Sequence, residues 1–300
     1  MSILLLGANG QVGWELQRSL SPLGAVKICD RYNANLEDLD SLSALLDEYR
    51  PEIIVNAAAY TAVDKAETEI DKAKLINADA VSLLADKAKQ LDALLVHFST
   101  DYVFDGVKLD AYIETDEASP QSVYGETKLL GENAIKDSGC KHLVFRTSWV
   151  YAIRGSNFPK TMMRLASERD ELNVVSDQIG APTSAELIAD VTSICLHQII
   201  QNKIKAEKIS GIYHLTPSGA TSWHGFAQYV IKNALHYGSE FRITPENIIP
   251  ISTAEYPLPA KRPANSLLNT QKICETFGVY MPDWEVHVDR LIREIGVQRV

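Results

Sequence analysis

The segment Gly7-Ala8-Asn9-Gly10-Gln11-Val12-Gly13 follows the apolar run Ile3 to Leu6 directly and opens a helical pattern that reaches Leu20. Glycines at such a junction allow a tight turn and close backbone approach, and the free N–H groups of the following helix favour a pyrophosphate. A chain that begins strand, glycine turn, helix is steered toward right-handed βαβ crossovers, and these build a parallel sheet. Four further runs continue the pattern, at Ala25 to Cys29, Ile53 to Val55, Leu94 to Phe98 and Leu143 to Phe145. Each reads as a strand buried on both faces. Helical patterns at Asp40 to Tyr49, Ala73 to Leu91 and Tyr124 to Asp137 alternate with them. The expectation is an α/β, doubly wound (Rossmann) parallel sheet.

Beyond Thr147 the alternation loosens. Asn157 to Glu168, Ala185 to Ile200 and Trp223 to Tyr237 look helical, Ile212 to Leu215 strand-like, and prolines 245, 250, 257, 259 and 263 mark a loop-rich stretch before a last helix near Trp284 to Ile295. With 300 residues, a division is expected into 1–150, a dinucleotide-binding domain, and 151–300, a smaller C-terminal α/β domain whose chain re-enters the first once.

A net charge of −10 argues against a nucleic-acid surface. Cys29, Cys140, Cys195 and Cys274 are far apart, so neither a zinc knuckle nor a disulfide framework is indicated, and a reducing cytoplasm fits. No secretory leader or membrane-length apolar stretch is read in the chain.

Asp30 ends the second run, where a carboxylate can take hydrogen bonds from an adenosine ribose, as NAD(H) requires. Arg31 follows and can grip the 2′-phosphate of NADP(H), so use of both NADPH and NADH is expected. Tyr124 and Lys128 share one helix face four residues apart. An ammonium beside a phenol lowers the phenol's pKa toward working pH. The spacing alone arises by chance about 0.7 times in such a chain, so its placement carries the argument. It follows a strand that ends in Ser99-Thr100-Asp101-Tyr102, at the carboxyl edge where open α/β sheets bind ligands. His97 and His214, flanked by apolar residues, read as satisfied core or edge histidines.

Seven segments in order, GANGQVG from Gly7, VNAAAYTAVDKAE from Val55, STDYVF from Ser99, VYGETKLLGE from Val123, RTSWVYA from Arg146, GAPT from Gly180 and RPANSLLNT from Arg262, resemble the extended short-chain dehydrogenase/reductases over essentially the whole chain. The resemblance implies NAD(P)H-dependent reduction of the 4-keto group of a dTDP-linked 4-keto-6-deoxyhexose. Thr100, Tyr124 and Lys128 would be the catalytic set. Cofactor contacts are implied for Gly7, Gly10, Gln11, Val12, Asp30, Arg31, Asp38, Leu39, Ala59, Tyr60 and Thr61, and sugar contacts for Thr100, Asp101 and Trp149. Lys261 and Arg262 can offset the substrate pyrophosphate, and Trp149 offers a flat face to a sugar ring. The resemblance further implies a homodimer around Mg²⁺ held by Glu15, Glu186 and Glu294. Two other readings stand beside it: a non-catalytic NADP-binding regulatory subunit, and a sugar-nucleotide epimerase or dehydratase.

Overall fold

The computed structural model describes residues 1–201 and 204–297. The five apolar runs form β1 (Ser2–Leu6), β2 (Ala25–Cys29), β3 (Ile53–Asn56), β4 (Leu94–Thr100) and β5 (Lys141–Thr147). With the strand Gly211–His214 they make one six-stranded sheet, ordered 211–214, β5, β4, β3, β1, β2, with every neighbouring pair parallel. Side chains alternate between two buried faces. Ile3 and Leu5 pack with Leu16 and Leu20 of helix α1 (Gln11–Leu20) and with Ile188 and Cys195 of the helix Ala185–Ile200. Leu4 and Leu6 pack with Leu42 and Leu46 of helix α2 (Leu39–Tyr49), Leu84 of the helix Ala80–Leu91 and Ile135 of the helix Val123–Ser138. Helices cover both faces of the central strands, which is why those strands are largely apolar, while the edge strand β2 stays partly exposed, and the doubly wound expectation is met. After β2 the chain crosses to the other side of β1 to form β3, and a crevice opens at that reversal over the carboxyl ends of the strands.

Residues beyond Thr147 divide between two cores. The helices Phe158–Glu168, Trp223–His236 and Trp284–Val297 enclose a core of their own around Phe226, Val230, Trp284 and Val288. The pair Leu172–Val175 and Ile248–Ile251, parallel strands, closes it. By contrast Ile188, Cys195, Tyr213 and Phe277 join the sheet's first core. The proline-rich stretch holds two 3₁₀ turns, Pro245–Asn247 and Thr253–Glu255, around one strand. Pro250 is tolerated there because the strand is an edge of a two-stranded ladder.

One expected helix is interrupted. Where Ala73 to Leu91 reads as continuous, Leu75–Asp79 forms a π-helical turn before Ala80–Leu91. Such turns re-aim a side chain, and here the side chain is Asn77. Its Oδ1 accepts from the Tyr60 N–H at 2.9 Å, and its amide donates to the Tyr60 carbonyl and the Thr127 hydroxyl.

Helix Val123–Ser138 is bound to β5 by a buried ion pair. Arg146 Nε and Nη2 meet the two oxygens of Glu132 at 2.9 and 2.6 Å, with Glu132 2 % and Arg146 3 % exposed. Both charges have left water, so removing one strands the other. Glu132→Ala is expected to lower stability by about 3–5 kcal/mol, measured by urea unfolding; a loss within experimental error would show that the pair does not hold the helix.

Candidate active site

Gly7 has φ +78°, and a Cβ there would lie 2.5 Å from the backbone nitrogen of Ala58. A Cβ on Gly13 would lie 2.1 Å from the Gly7 carbonyl oxygen. The turn between β1 and α1 therefore needs glycine at both places, once for the left-handed backbone and once for the close seat of the helix. The resulting cradle at the N-terminus of α1 fits a dinucleotide pyrophosphate. It forms one end of a cavity of about 580 Å³, whose lining includes Gly7, Gly10, Gln11, Val12, Ala59 and Thr61. Asp30 and Arg31 line the same end. Asp30 Oδ2 accepts from Asn9 Nδ2 at 2.8 Å, so Asn9 shares the carboxylate an incoming ribose would use. Arg31 lies over the exposed Tyr32 ring, 5.7 Å from its centre.

The other end is made by the carboxyl edge of the sheet and the start of helix Val123–Ser138. Ser122 caps that helix by accepting from the Gly125 N–H at 3.2 Å. Thr100, Asp101, Tyr124, Lys128 and Trp149 all reach this cavity. The Thr100 hydroxyl accepts from the Tyr102 N–H at 3.2 Å, donates to Asp101 at 3.0 Å and stands against the Tyr124 hydroxyl. Tyr102 packs edge-on to the Tyr124 ring at 5.5 Å.

The electrostatics differ from the sequence expectation. Burial pushes the Tyr124 phenol up to about 12, with the Thr100 hydrogen bond opposing and Asp101 adding to the rise. Lys128 does not depress it. Lys128 is 1 % exposed, and its amine is turned to the Phe98 carbonyl at 2.7 Å and His97 at 3.1 Å. Its own pKa is lowered to about 8 by burial, against the pull of Glu132. Burial likewise raises Asp101 to about 6. Dehydration outweighs the charge–charge attraction on which the sequence argument relied.

Trp149 adopts φ +49°, a left-handed backbone rare for a bulky residue. Its indole stacks on Trp223, ring centres 3.6 Å apart at 14°. Gly180 leaves room for it, since a Cβ there would lie 2.6 Å from the ring. Trp223 in turn donates to Gln178 at 3.1 Å and lines a second, larger cavity of about 1110 Å³. Lys261 and Arg262 lie on that second cavity. Arg262 grips Asp64 through two bonds of 2.9 and 2.8 Å, and Lys261 donates to Gln121 at 3.2 Å.

Three other expected cofactor contacts lie off the cavity lining. Asp38 caps α2 through Ser41 at 3.0 and 2.7 Å. Leu39 begins that helix and packs into the core. Tyr60 is buried, its hydroxyl donating to Glu69 at 3.0 Å. Glu15, Glu186 and Glu294 do share one patch, across α1 and the helices Ala185–Ile200 and Trp284–Val297. Their nearest partners are arginines. Arg290 meets Glu186 at 3.1 Å and Glu294 at 3.2 Å, and Arg18 lies 3.7 Å from Glu15. Among the described residues no group of three or more His, Cys, Asp or Glu side chains is placed to hold a metal ion. Sequence reasoning gave no role to Asn9 or Asn56, although both lie in the quoted segments, nor to Trp223, and it read His97 as core without its bond to Lys128.

Residues 1–297 match the family described as the RmlD substrate binding domain. The chain is 47 % identical over 295 residues to the dTDP-4-dehydrorhamnose reductase of Burkholderia thailandensis, covering 98 % of this chain and 99 % of that one. It is 47 % identical over 299 residues to the dTDP-4-dehydrorhamnose reductase of Escherichia coli K12, covering 98 % of each. A crystal structure of the Bacillus anthracis dTDP-4-dehydrorhamnose reductase in complex with NADP superposes with a TM-score of 0.87 at 34 % identity, over 98 % of this chain and 99 % of that one. The UDP-glucose 4-epimerase of Thermotoga maritima shares the fold, with a TM-score of 0.79 at 16 % identity. With this glycine cradle and a tyrosine–lysine helix at one carboxyl edge, the chain belongs to the RmlD substrate binding domain family of extended short-chain dehydrogenase/reductases.

Proposed function

We propose that this chain reduces dTDP-4-dehydrorhamnose to dTDP-L-rhamnose with NADPH, and accepts NADH as well. One observation carries the reading: Thr100, Tyr124 and Lys128 open into the same cavity as the glycine cradle, so a dinucleotide seated on α1 reaches them. The substrate comes from the relatives of nearly half identity. When bound, the reduced nicotinamide supplies a hydride. Tyr124, kept protonated by burial, donates its hydroxyl proton to the sugar's C4 oxygen as negative charge develops there. Thr100 orients that oxygen, and Lys128 when charged stabilises the phenolate left behind. Asp30 faces the adenosine ribose and Arg31 its 2′-phosphate, which supports the use of both cofactors.

The sugar ring lies along Trp149, and the nucleotide enters the larger cavity beyond Trp223, where Lys261 and Arg262 balance its pyrophosphate. Arg262 then turns from Asp64 to phosphate. In this reading residues 1–150 carry the cofactor and 151–300 mainly the substrate. Four free cysteines, three of them buried, suit a reducing cytoplasm, and among the described residues no helix is long and apolar enough to cross a membrane. We also propose a homodimer in which the patch of Glu15, Glu186 and Glu294 takes up Mg²⁺ once Arg290 swings aside. In the single chain Arg290 pairs with Glu186 and Glu294, and a metal there would have to displace it.

An assay of NADPH and NADH oxidation with a panel of nucleotide 4-keto sugars is expected to show turnover with dTDP-4-dehydrorhamnose and either cofactor. Binding of the cofactor without oxidation of any sugar would instead indicate a regulatory subunit. Tyr124→Phe keeps the ring and is expected to lower kcat by roughly 10²- to 10⁴-fold with cofactor affinity nearly intact; a folded variant with more than about a tenth of wild-type kcat would remove Tyr124 as the acid. Light scattering is expected to show a mass of two chains that halves when a chelator is added, and an unchanged mass would rule out the metal-dependent dimer.

A further inference from the structure

His97 on β4 stands opposite Asn56 of β3 in the sheet register, and each is 1 % exposed. The backbone settles how Asn56 is turned. Its Oδ1 accepts from the Ala58 N–H at 3.1 Å, and a backbone N–H can only donate. The amide nitrogen therefore faces His97 Nδ1, 3.1 Å away. A ring nitrogen that receives an N–H is the bare one, so the proton of the neutral ring sits on Nε2. Nε2 lies 3.1 Å from the Lys128 nitrogen, whose other bond is the donation to the Phe98 carbonyl. An ammonium offers three N–H groups and no lone pair, whereas a neutral amine has a lone pair for Nε2–H. The ring itself stays neutral, because burial and the nearby lysine hold His97 well below its ordinary pKa.

We propose that Asn56 and His97 are positioning residues for the reduction: they fix the ring as the Nε2–H tautomer, so that it donates to Lys128 and makes the charge of that lysine reversible at working pH. The inference deepens the proposed role of Lys128 and rests on it. Among the described residues, other titratable groups near the amine are few. Tyr124 and Glu132 lie on its own helix, Glu132 being paired with Arg146 of β5. Asp101 and Tyr102 follow β4 in the same cavity. From β3 comes only the neutral amide of Asn56. Burial acts in the same direction as the ring, and Glu132 opposes both.

The sign of the pH dependence follows. Lys128 is charged below about 8 and loses its charge above, so kcat of the wild type falls as pH rises through that value, while Tyr124 at about 12 remains protonated. Asn56→Asp keeps the shape of the side chain and its acceptor for the Ala58 N–H, but sets a carboxylate oxygen against Nδ1. That requires a proton on Nδ1, turns Nε2 into an acceptor for the ammonium, and moves the alkaline limb of the kcat profile upward by about one pH unit or more.

The first test needs no activity. Nitrogen-15 NMR of the histidine-labelled full chain, with the His97 signal assigned by its loss in His97→Gln or its movement in Asn56→Asp, is expected to show a protonated Nε2 and a bare Nδ1 in the wild type. In Asn56→Asp the two are expected to exchange. A protonated Nδ1 in the wild type overturns the proposal, whatever the chain reduces, and decides it even if Asn56→Asp does not fold, since loss of the signal in His97→Gln is enough to assign it. An alkaline limb that does not move in folded Asn56→Asp overturns it equally, whereas absence of turnover by the wild type counts against the proposed function alone.

Discussion

The seat of helix Val123–Ser138 against the carboxyl edge of the sheet is the constraint on which the site depends. A Cβ on Gly125 would lie 2.2 Å from the Tyr102 carbonyl oxygen, and one on Gly131 would lie 2.3 Å from the Asn77 carbonyl oxygen. Two small residues thus let the helix backbone touch the turn after β4 on one side and the π-helical turn on the other. The buried Glu132–Arg146 pair then fixes the helix along β5. With the helix so placed, Tyr124 and Lys128, four residues apart, both face β4, Tyr124 meeting Thr100 and Lys128 meeting Phe98 and His97. A looser seat would leave room for water, and the bare amine and phenol would revert toward their ordinary acidity.

Dehydration sets the chemistry of that seat. It lifts Tyr124 to about 12 and Asp101 to about 6 while lowering Lys128 to about 8. Tyr124 is held protonated, while Asp101 and Lys128 are both brought to titrate near neutral pH, as suits a site that must give a proton to a developing alkoxide. Polar bonds within the site oppose these shifts without reversing them. The stacked Trp149–Trp223 pair stands between the cavity lined by Thr100 and Tyr124 and the larger one behind it. Trp149 holds a left-handed backbone in order to do so, and strain of that kind concentrates where function needs a fixed ring.

Much of this was legible in the sequence because it rests on local rules. The strand runs, the glycine turn and the helix carrying Tyr124 and Lys128 appear where periodicity and spacing place them, and Gly7 and Gly13 are glycine for the reason the motif supplies. What was not legible depends on contacts between distant segments. The π-helical turn at Leu75–Asp79 answers to Tyr60 and Thr127, not to its own residues. Arg262 is held by Asp64, nearly two hundred residues earlier. The acidity of Tyr124 could not be read from its neighbour four residues on, because burial is a property of the assembled fold. His97 looked like a core histidine, and it is one, yet its ring nitrogen ends on Lys128.

The central claim is that the carboxyl edge joins a nicotinamide to a sugar ketone. Its most direct measurement follows the hydride itself. With NADPH carrying deuterium at the transferable position and dTDP-4-dehydrorhamnose as substrate, the account predicts one oxidised cofactor for each sugar and deuterium on the sugar's fourth carbon, read by NMR of the product. Cofactor oxidation with no deuterium in the sugar, or no oxidation by a folded chain that binds both molecules, would contradict it.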